Sequence, residues 1–473
     1  MAGILIGSAL LLGILLGGID AGWFALPALA SGAVLAAAVR RERRTAAIAA
    51  LAFVCVLAGF WRASAASTPT QVDLPSVDYR YQGIVVGVPS RSGSGGTARV
   101  SLRDPAGGTA WVVLPSVPEV HQSDVIMFHG LVERDVSRPD PETLLPSGPR
   151  GAPVIFASQL TVLGSEASML ERSRSRMLEA LRGRLERSIP EPGGALSAGV
   201  LLGDDGDLTT YTGDAFRAAG LSHLTAVSGW NVALVAGMLA ILTARLCVRR
   251  VWVLALSALG IWAFAYLVGL GPSVLRAAVM GTLLLVAGWR GRPADALTSL
   301  VWTSAAMVLL QPGTLHDIGF QLSAAATLAI VVTAPLLEGA ARWVAAAAVP
   351  IAAELAVAPL ILHQFGTYSL VAPLANVVVA PLVPAVMAGA LVTGVASLVH
   401  PLLASAAGLV TWVPARLITV VAEWAASAPG LTGHTIPLGW GGVLVAYLVL
   451  AAAYAGLWYA RFGRLARRAP AGV

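Results

Sequence analysis

The chain has 473 residues, of which 57% are hydrophobic and 12% are charged, and its formal net charge at pH 7 is +6. Soluble globular proteins carry about 25% charged residues. The composition therefore excludes a soluble globular protein and predicts an integral membrane protein with most of its chain in lipid. The two cysteines, Cys55 and Cys247, lie in or beside apolar runs, so the sequence implies no disulfide framework.

Apolar runs flank one long polar region. At roughly 20 residues for each span, they predict an α-helical polytopic membrane protein with about 12 transmembrane helices. The first run lacks a preceding basic segment, so we expect residues 1–61 to hold three retained spans and no cleaved signal peptide. The runs are 4–19, 21–39, 45–61, 223–246, 252–269, 274–289, 297–312, 318–337, 343–361, 369–396, 402–426 and 440–460.

Arginine-rich loops orient these spans, because positively charged loops of membrane proteins stay in the cytoplasm. The loop at residues 40–44 is rich in arginine, and the third span then delivers residues 62–215 to the outside. Later arginines that fall on the cytoplasmic side of the same topology are Arg249, Arg250, Arg290, Arg292, Arg342, Arg461, Arg464, Arg467 and Arg468. We therefore expect a multi-pass protein of the cytoplasmic membrane, with both termini cytoplasmic and residues 62–215 extracytoplasmic.

Residues 62–165 have the pattern of a small extracytoplasmic β-domain. Runs rich in valine, isoleucine and aromatic residues are separated there by glycine, proline and serine. The runs are Tyr79–Val88, Thr97–Asp104, Thr109–Leu114, Asp124–Val132 and Pro153–Leu163. They suit a small β-barrel, for which the OB-fold is the commonest candidate with five strands. A small β-domain of another kind stays open as the alternative.

One stretch of this β-domain is locally basic. The candidate DNA-contacting residues there are Arg80, Arg91, Arg99, Arg103 and Trp111. Arginine attracts phosphates and aromatic rings stack on bases, so the stretch has the chemistry of a surface for single-stranded nucleic acid. A solvated strand face is the alternative interpretation.

An amphipathic helix and a connector are predicted for residues 166–215. The apolar residues with helical spacing are Met169, Leu170, Met177, Leu178, Leu181, Leu185 and Ile189. The arginines expected on the other face are Arg172, Arg174, Arg176, Arg182, Arg184 and Arg187. A helix of this type is suited to the membrane interface, and it is equally suited to packing on the outer ends of the spans.

Polar residues and a glycine also occur inside or at the mouth of the later spans. We predict that they line a channel or substrate path: His223, Thr225, Ser228, Gly229, Asn231, Arg276, Gln321, Ser323, Glu354 and Asn376. Polar groups at membrane depth need partners. Packing and hydrogen bonds between helices supply those partners in one interpretation, and a water-filled pathway supplies them in the other.

Two of these residues carry charge at depth, where charged groups are expensive and usually functional. Arg276 and Glu354 pair with each other in one interpretation, whereas Arg276 attracts phosphates entering a pore in the other. Prolines interrupt the run 369–396 at positions 373, 381 and 384. Broken helices at membrane depth commonly line a cavity or a site.

Several short blocks follow one another in a fixed order between residues 200 and 390. They include Leu201–Asp204, Gly220–Val235, Arg276–Met280, Gly319–Ser323 and His363–Gly366. In order and spacing these blocks resemble the ComEC-type competence proteins, which move single-stranded DNA through the cytoplasmic membrane during natural transformation. Asn231 stands where that family often has histidine.

The resemblance implies a transmembrane channel domain at residues 216–461, followed by a basic cytoplasmic tail at 462–473. It implies single-stranded DNA and the lipid bilayer as partners, together with a DNA receptor, a separate nuclease and a cytoplasmic ATPase or DNA-binding protein. Many members carry a C-terminal metallo-β-lactamase-like domain, but the sequence contains no His-x-His-x-Asp-His cluster. We therefore expect no enzymatic activity, no cofactor and no metal site.

Two rival functions stay open. The first is a transporter of another solute or polymer. The second is an intramembrane hydrolase, for which His223 and Ser228 offer a base and a nucleophile.

Overall fold

The structure is a computed structural model that describes residues 79–463 with gaps. The gaps are 87–89, 93–94, 105–107, 116–119, 122, 134–153, 204–207, 209, 226–228, 246–248, 292–295, 312–313, 315–316, 429–430 and 436. The spans predicted within residues 1–61 and nearly all of the tail 462–473 lie outside the described residues. The chain divides into two compact units, one with Met1–Thr70 and Ser228–Val331, the other with Gln71–Val227 and Val332–Val473.

The second unit begins with a β-sheet. Its strands are β1 (Tyr79–Val85), β2 (Ser90–Ser92), β3 (Gly95–Asp104), β4 (Gly108–Pro115), β5 (Asp124–Glu133) and β6 (Val154–Ser165). Each of the five predicted runs overlaps one of the longer strands, and the bounds differ by three residues or fewer. The short strand β2 was not predicted, and with the start of β3 it occupies part of the glycine- and serine-rich stretch that follows β1.

The strands are hydrogen-bonded in the order β1-β5-β6-β4-β3-β2, and β1 also pairs with β3. The pairing of β4 with β6 is parallel, and the other strand pairings of the described sheet are antiparallel. Side chains alternate between the two faces of a strand, and the inward positions of β1 and β5 are apolar. Tyr81 and Phe128 are fully buried and stack with their ring centroids 5.4 Å apart.

Helices follow the sheet: α1 (Met169–Ser188), α2 (Gly193–Leu202) and α3 (Thr210–Ala218). Ser168 and Glu171 cap the start of α1. The Ser168 hydroxyl accepts from the Glu171 backbone N–H at 3.2 Å, and the Glu171 carboxylate accepts from the Ser168 backbone N–H at 2.7 Å. The backbone hydrogen bond from Ser168 to the Glu171 carboxylate lowers the pKa of Glu171. This capping box explains why the helix begins where it does.

The helix predicted within residues 166–215 is confirmed as α1, but the division of its faces was partly wrong. Arg174 and Arg182 lie on the buried side. Met169, Leu170 and Met177 are exposed by 84%, 71% and 58%. Burial of an arginine requires a partner for its charge, and the Arg182 Nε donates to the Glu186 carboxylate at 3.0 Å.

The first unit contains a bundle of helices that pack against one another in chain order. They are α4 (Gly229–Arg245), α5 (Arg250–Val268), α6 (Pro272–Trp289), α7 (Ala296–Leu310) and α8 (Ile318–Thr333). The helix α4 packs on α5 and α6, and α6 packs on α5 and α7. Phe320 of α8 is fully buried with Met307 and Val308 of α7. The last residues of α8 pass into the second unit.

The second unit continues with α9 (Arg342–Phe365), α10 (Ala372–Val379), α11 (Val383–Val399), α12 (Pro401–Ala426) and α13 (Trp440–Trp458). Two short strands, β7 (Thr367–Ser369) and β8 (Thr432–His434), pair antiparallel. The helices α1, α2 and α3 pack against the hairpin of α11 and α12, or against α12 alone. Every residue of α2 is buried, so this short apolar helix is covered by protein.

Six helices in the described part of the chain are long and apolar enough to cross a membrane, and the number is seven if a bent pair counts as one span. The six are Arg250–Val268, Pro272–Trp289, Ile318–Leu337, Arg342–Phe365, Pro401–Ala426 and Trp440–Arg461. The bent pair is α10 and α11, which meet at 48°. The protein is therefore a mostly helical membrane protein, as predicted. The predicted total of about 12 spans is not reached among the described residues, which exclude the first three runs and in which α4 and α7 are shorter than 18 residues.

Candidate functional site

Arg276 is the central residue of a polar cluster in the first unit. It lies on the second turn of α6, and only 2% of its surface is exposed. Its Nη2 donates to the Ser323 hydroxyl and, at 3.1 Å, to the Thr327 hydroxyl, both on α8. Ser323 and Thr327 are four residues apart and therefore share one face of that helix. We refer to Arg276, Ser323 and Thr327 as the arginine cluster.

The guanidinium of Arg276 is not fully satisfied. Its Nε and Nη1 atoms are buried and have no hydrogen-bond partner among the described residues. Two hydroxyl groups offer partial dipoles but no negative charge. A buried cation with unpaired N–H groups is destabilising unless an anion or water approaches it. The arginine cluster therefore has the chemistry of a site for an anionic group.

Gly229 brings the start of α4 close to this guanidinium. A Cβ atom added at Gly229 would lie 3.2 Å from the Ala277 Cβ and 3.9 Å from the Arg276 Nη2. The N-terminus of a helix carries partial positive charge. The helix end and the guanidinium thus both favour negative charge at the same place, and the absence of a side chain at Gly229 permits this approach.

The other predicted path residues of this unit do not all converge on Arg276. Asn231 is 3% exposed and has an interaction partner. Gln321, next to Phe320 on α8, is half-buried and also has a partner. Ser228 lies outside the described residues. Of the predicted path residues in this unit, Arg276 and Ser323 are in direct contact, and Gly229 approaches them.

A second polar pair lies inside the second unit. The Asn376 side chain donates from its Nδ2 to the Glu354 Oε2 at 3.1 Å. Glu354 lies in α9, and Asn376 lies in α10 and is 7% exposed. The structure thus joins these two predicted path residues, and each of Arg276 and Glu354 has hydrogen-bond partners in its own unit. The alternative of an ion pair between Arg276 and Glu354 stays a hypothesis.

His223 and Thr225 lie in the loop that precedes α4. His223 is on a short 3₁₀ turn, is exposed, and its Nδ1 is 3.2 Å from the Gly220 carbonyl oxygen. Thr225 is buried and donates to the Ser222 carbonyl at 3.0 Å.

Gly220 has a φ of +72°, and an added Cβ would lie 2.5 Å from the Ala372 Cβ. Glycine is therefore needed to seat this loop on the first turn of α10. A dyad of His223 and Ser228 stays untested.

The predicted DNA-contacting residues of the β-domain differ from one another in their surroundings. Arg80 is exposed, and its Nε is 2.8 Å from the Met127 sulfur. Arg103 forms an ion pair with Glu166 at 2.9 Å, so much of its charge is neutralised. Arg99 on β3 lies opposite Trp111 on β4 in the strand register. The positions of the Arg91, Arg99 and Trp111 side chains are outside the described part of the structure.

The described residues contain no group of three or more histidine, cysteine, aspartate or glutamate side chains that would hold a metal ion. The predicted absence of a metal site stays a prediction.

Comparison with known proteins identifies the family. The Competence protein family model matches residues 200–462. The chain belongs to this family. The match covers the arginine cluster and the Glu354–Asn376 pair, and it confirms the resemblance to ComEC-type proteins that the sequence blocks indicated.

One curated relative is the ComE operon protein 3 of Bacillus subtilis strain 168, which is 28% identical over 219 residues. The matched stretch is 44% of this chain and only 28% of the Bacillus protein. No solved structure matches the chain.

Sequence reasoning missed Thr327, the second acceptor for Arg276. Thr327 lies four residues after Ser323, so the sequence shows that the two share one face of a helix. The sequence does not show which other helix that face contacts. It also missed Tyr454, whose hydroxyl donates to Thr333 at 2.7 Å, and the ion pair between Arg416 and Glu423 within α12 at 3.1 Å. The last pair is seven residues apart, two turns on one face of a helix, which a search for such spacings would have found.

Proposed function

We propose that this competence protein forms a hydrated conduit for single-stranded DNA across the cytoplasmic membrane. Family membership is the observation that carries the proposal. The arginine cluster supports it, because a buried cation with unpaired N–H groups suits a phosphate diester. A solute without negative charge would not neutralise the charge of that cation.

The physical requirement on such a conduit is strict. Every nucleotide carries a charged phosphate, and an unpaired charge in a dry interior costs several kcal/mol or more. The path must therefore be wet and polar, with positive charge along it. Within this proposal Ser323 and Gly229 contribute polar or small surface beside Arg276. Gln321 and Asn231 belong to the same unit, and Ser228, which lies outside the described residues, is proposed as a path residue from the sequence alone. His223, Thr225, Glu354 and Asn376 contribute polar surface in the other unit.

The β-domain is assigned as an OB-fold in this proposal. Its support is the cycle of pairings β1–β3, β3–β4, β4–β6, β6–β5 and β5–β1, with β4 and β6 parallel. A sheet whose strands pair in a cycle has the connectivity of a small barrel. We further propose that this domain is extracytoplasmic, that both termini are cytoplasmic, and that the domain guides incoming DNA through Arg80, Arg91, Arg99, Arg103 and Trp111.

The same proposal assigns no chemistry and no cofactor to this chain. A DNA receptor would deliver the DNA, and a separate nuclease would degrade the complementary strand. A cytoplasmic ATPase or DNA-binding protein would act on the strand that arrives inside.

The test is deletion of the gene in a transformable host. We expect nuclease-resistant uptake of labelled DNA to be lost, while binding of DNA to the cell surface is retained. Complementation with the intact gene serves as the control. Normal transformation by the deletion strain would refute the proposal and favour a transporter of another substrate.

A further inference from the structure

Glu354 occupies the middle of a candidate span. It is the thirteenth of the 24 residues of α9. At 1.5 Å for each residue, it lies about 17 Å from either end of that helix. The carboxyl group is thus as far from the membrane surfaces as this span allows.

Among the described residues, the elements that pack most closely on α9 offer Glu354 no compensating cation. They are α10, α13, β7 and the 3₁₀ turn Ala334–Leu337, and none of them contains lysine or arginine. Their titratable side chains are tyrosines: Tyr447 donates to the Ala356 carbonyl at 2.8 Å, Tyr454 donates to Thr333, and Tyr368 lies on β7. On α9 itself, Arg342 is at the start and His363 is near the end. Glu354 makes no ion pair within the described part of the chain.

An isolated carboxylate at this depth costs several kcal/mol, and one amide donor offsets only part of that cost. The group is therefore more stable when a bound cation neutralises it. Calcium and magnesium ions take six or more oxygen ligands, whereas one carboxyl and one amide supply three oxygens at most. A proton needs only one acceptor atom, and it is the ligand that this site suits.

The hydrogen bond to Asn376 links this carboxyl group to a broken span. Asn376 lies on α10, the short arm of the pair that meets α11 at 48°. Pro350 and Pro359 stand in α9 on either side of Glu354. Each proline removes one backbone hydrogen bond and allows the helix to bend. Loss or gain of a proton changes what Glu354 offers to Asn376 and thus the contact between α9 and α10.

We infer that Glu354 and Asn376 form a proton-binding site that couples proton movement to movement of substrate through the protein. The inference rests on the proposed function and adds a source of driving force to it. The ligand is a proton, the carboxyl group of Glu354 is its acceptor, and the bent α10–α11 pair is the element that responds.

The direct test is infrared spectroscopy of the purified full chain across a pH titration. We expect a band of a protonated carboxyl group that is absent from the Glu354→Gln variant. The matched control is Glu423→Gln, which removes a carboxylate that is already paired with Arg416 in the same unit; this variant should keep the band. No band that depends on Glu354, or a band that sodium ions abolish at constant pH, would overturn the inference.

The coupling is tested by transformation of cells that carry each variant at equal protein level in the membrane. Glu354→Gln should reduce transformation by about tenfold or more, because it is permanently neutral. Glu354→Asp should retain part of the activity, because it still binds a proton. Asn376→Ala should keep the infrared band and reduce transformation, since it cuts the link to α10.

Transformation of Glu354→Gln at the wild-type level would overturn the coupling and leave the proposed function intact. Normal transformation of the deletion strain would instead refute the proposed function itself. If Glu354→Gln fails to accumulate, Asn376→Ala and Glu354→Asp decide the matter, and wild-type transformation of Asn376→Ala then counts against the inference.

Discussion

At the scale of single residues, the main feature is the buried side chain of Arg276, whose charge and unpaired N–H groups require a partner. The sequence identified it because a charged group within an apolar run is expensive and usually functional. It did not identify Thr327 as a partner, since the direction of a helix face is fixed only by tertiary packing. Ser323 was predicted as a path residue, and the structure shows that its hydroxyl accepts a hydrogen bond from Arg276.

Substitution of Arg276 separates charge from packing. We expect transformation to fall in the order wild type, Arg276→Lys, Arg276→Gln and Arg276→Glu. Lysine keeps the positive charge but has fewer donors, glutamine removes the charge, and glutamate repels phosphates. The measurement is transformation efficiency normalised to the amount of protein in the membrane.

The control for this series is Arg250→Gln, because Arg250 is exposed and its side chain donates to the Gly288 carbonyl. It should transform nearly as wild type. Equal losses for Arg276→Gln and Arg276→Glu would mean that Arg276 is needed for its contacts with α8 and not for electrostatic attraction of the substrate phosphates.

At the scale of elements, the packing of α1 on α12 depends on one glycine. A Cβ added at Gly408 would fall inside the van der Waals radius of the Ser188 carbonyl oxygen. The obstacle is backbone, so it cannot rotate away. The position of α1 across the α11–α12 hairpin is therefore set by this close approach.

We expect Gly408→Ala to lower the melting temperature of the purified protein, with a cost of about 1–3 kcal/mol or more from overpacking. The matched control is Gly456→Ala in α13, where an added Cβ meets nothing within 4 Å. Alanine is favoured over glycine in a helix by about 1 kcal/mol, so the control should melt at the same or a higher temperature. Similar losses for both variants would contradict the packing argument.

The same elements show what sequence periodicity can and cannot predict. The existence of α1 followed from residues at helical spacing, but its buried face did not, because Arg174 and Arg182 take buried positions that a polarity rule assigns to solvent. The break in the run 369–396 was predictable from Pro373, Pro381 and Pro384, and the structure confirms it as the bend between α10 and α11. The contact of Asn376 with Glu354 was not, since the direction of the bend is a tertiary property.

At the scale of the whole molecule, composition alone predicted a helical membrane protein, and the family match confirms the competence resemblance. Strand positions in the β-domain were also predictable, because alternating apolar runs are bounded by glycine and proline. The parallel pairing of β4 with β6 was not, since it joins strands separated by nearly 40 residues and no local pattern reports it.

The proposed role of the β-domain predicts salt-sensitive binding. The purified full chain should bind a labelled single-stranded oligonucleotide, and the affinity should fall steeply as salt rises, by a slope of about 0.7 for each phosphate contacted. Arg80→Glu should weaken binding more than Arg103→Glu, because Arg103 is already paired with Glu166. Binding that does not change with salt would rule out phosphate contacts as its source.

The small pairing of β7 with β8 has a mechanical consequence. The strand pairing of residues 367–369 with 432–434 holds together the two ends of the segment that contains α10, α11 and α12. We therefore expect this segment to tilt about the paired strands and not to shift along its length. We therefore expect a motion that begins at Asn376 to be passed on as a tilt of the paired segment, and α1, which packs on α11 and α12, to move with it.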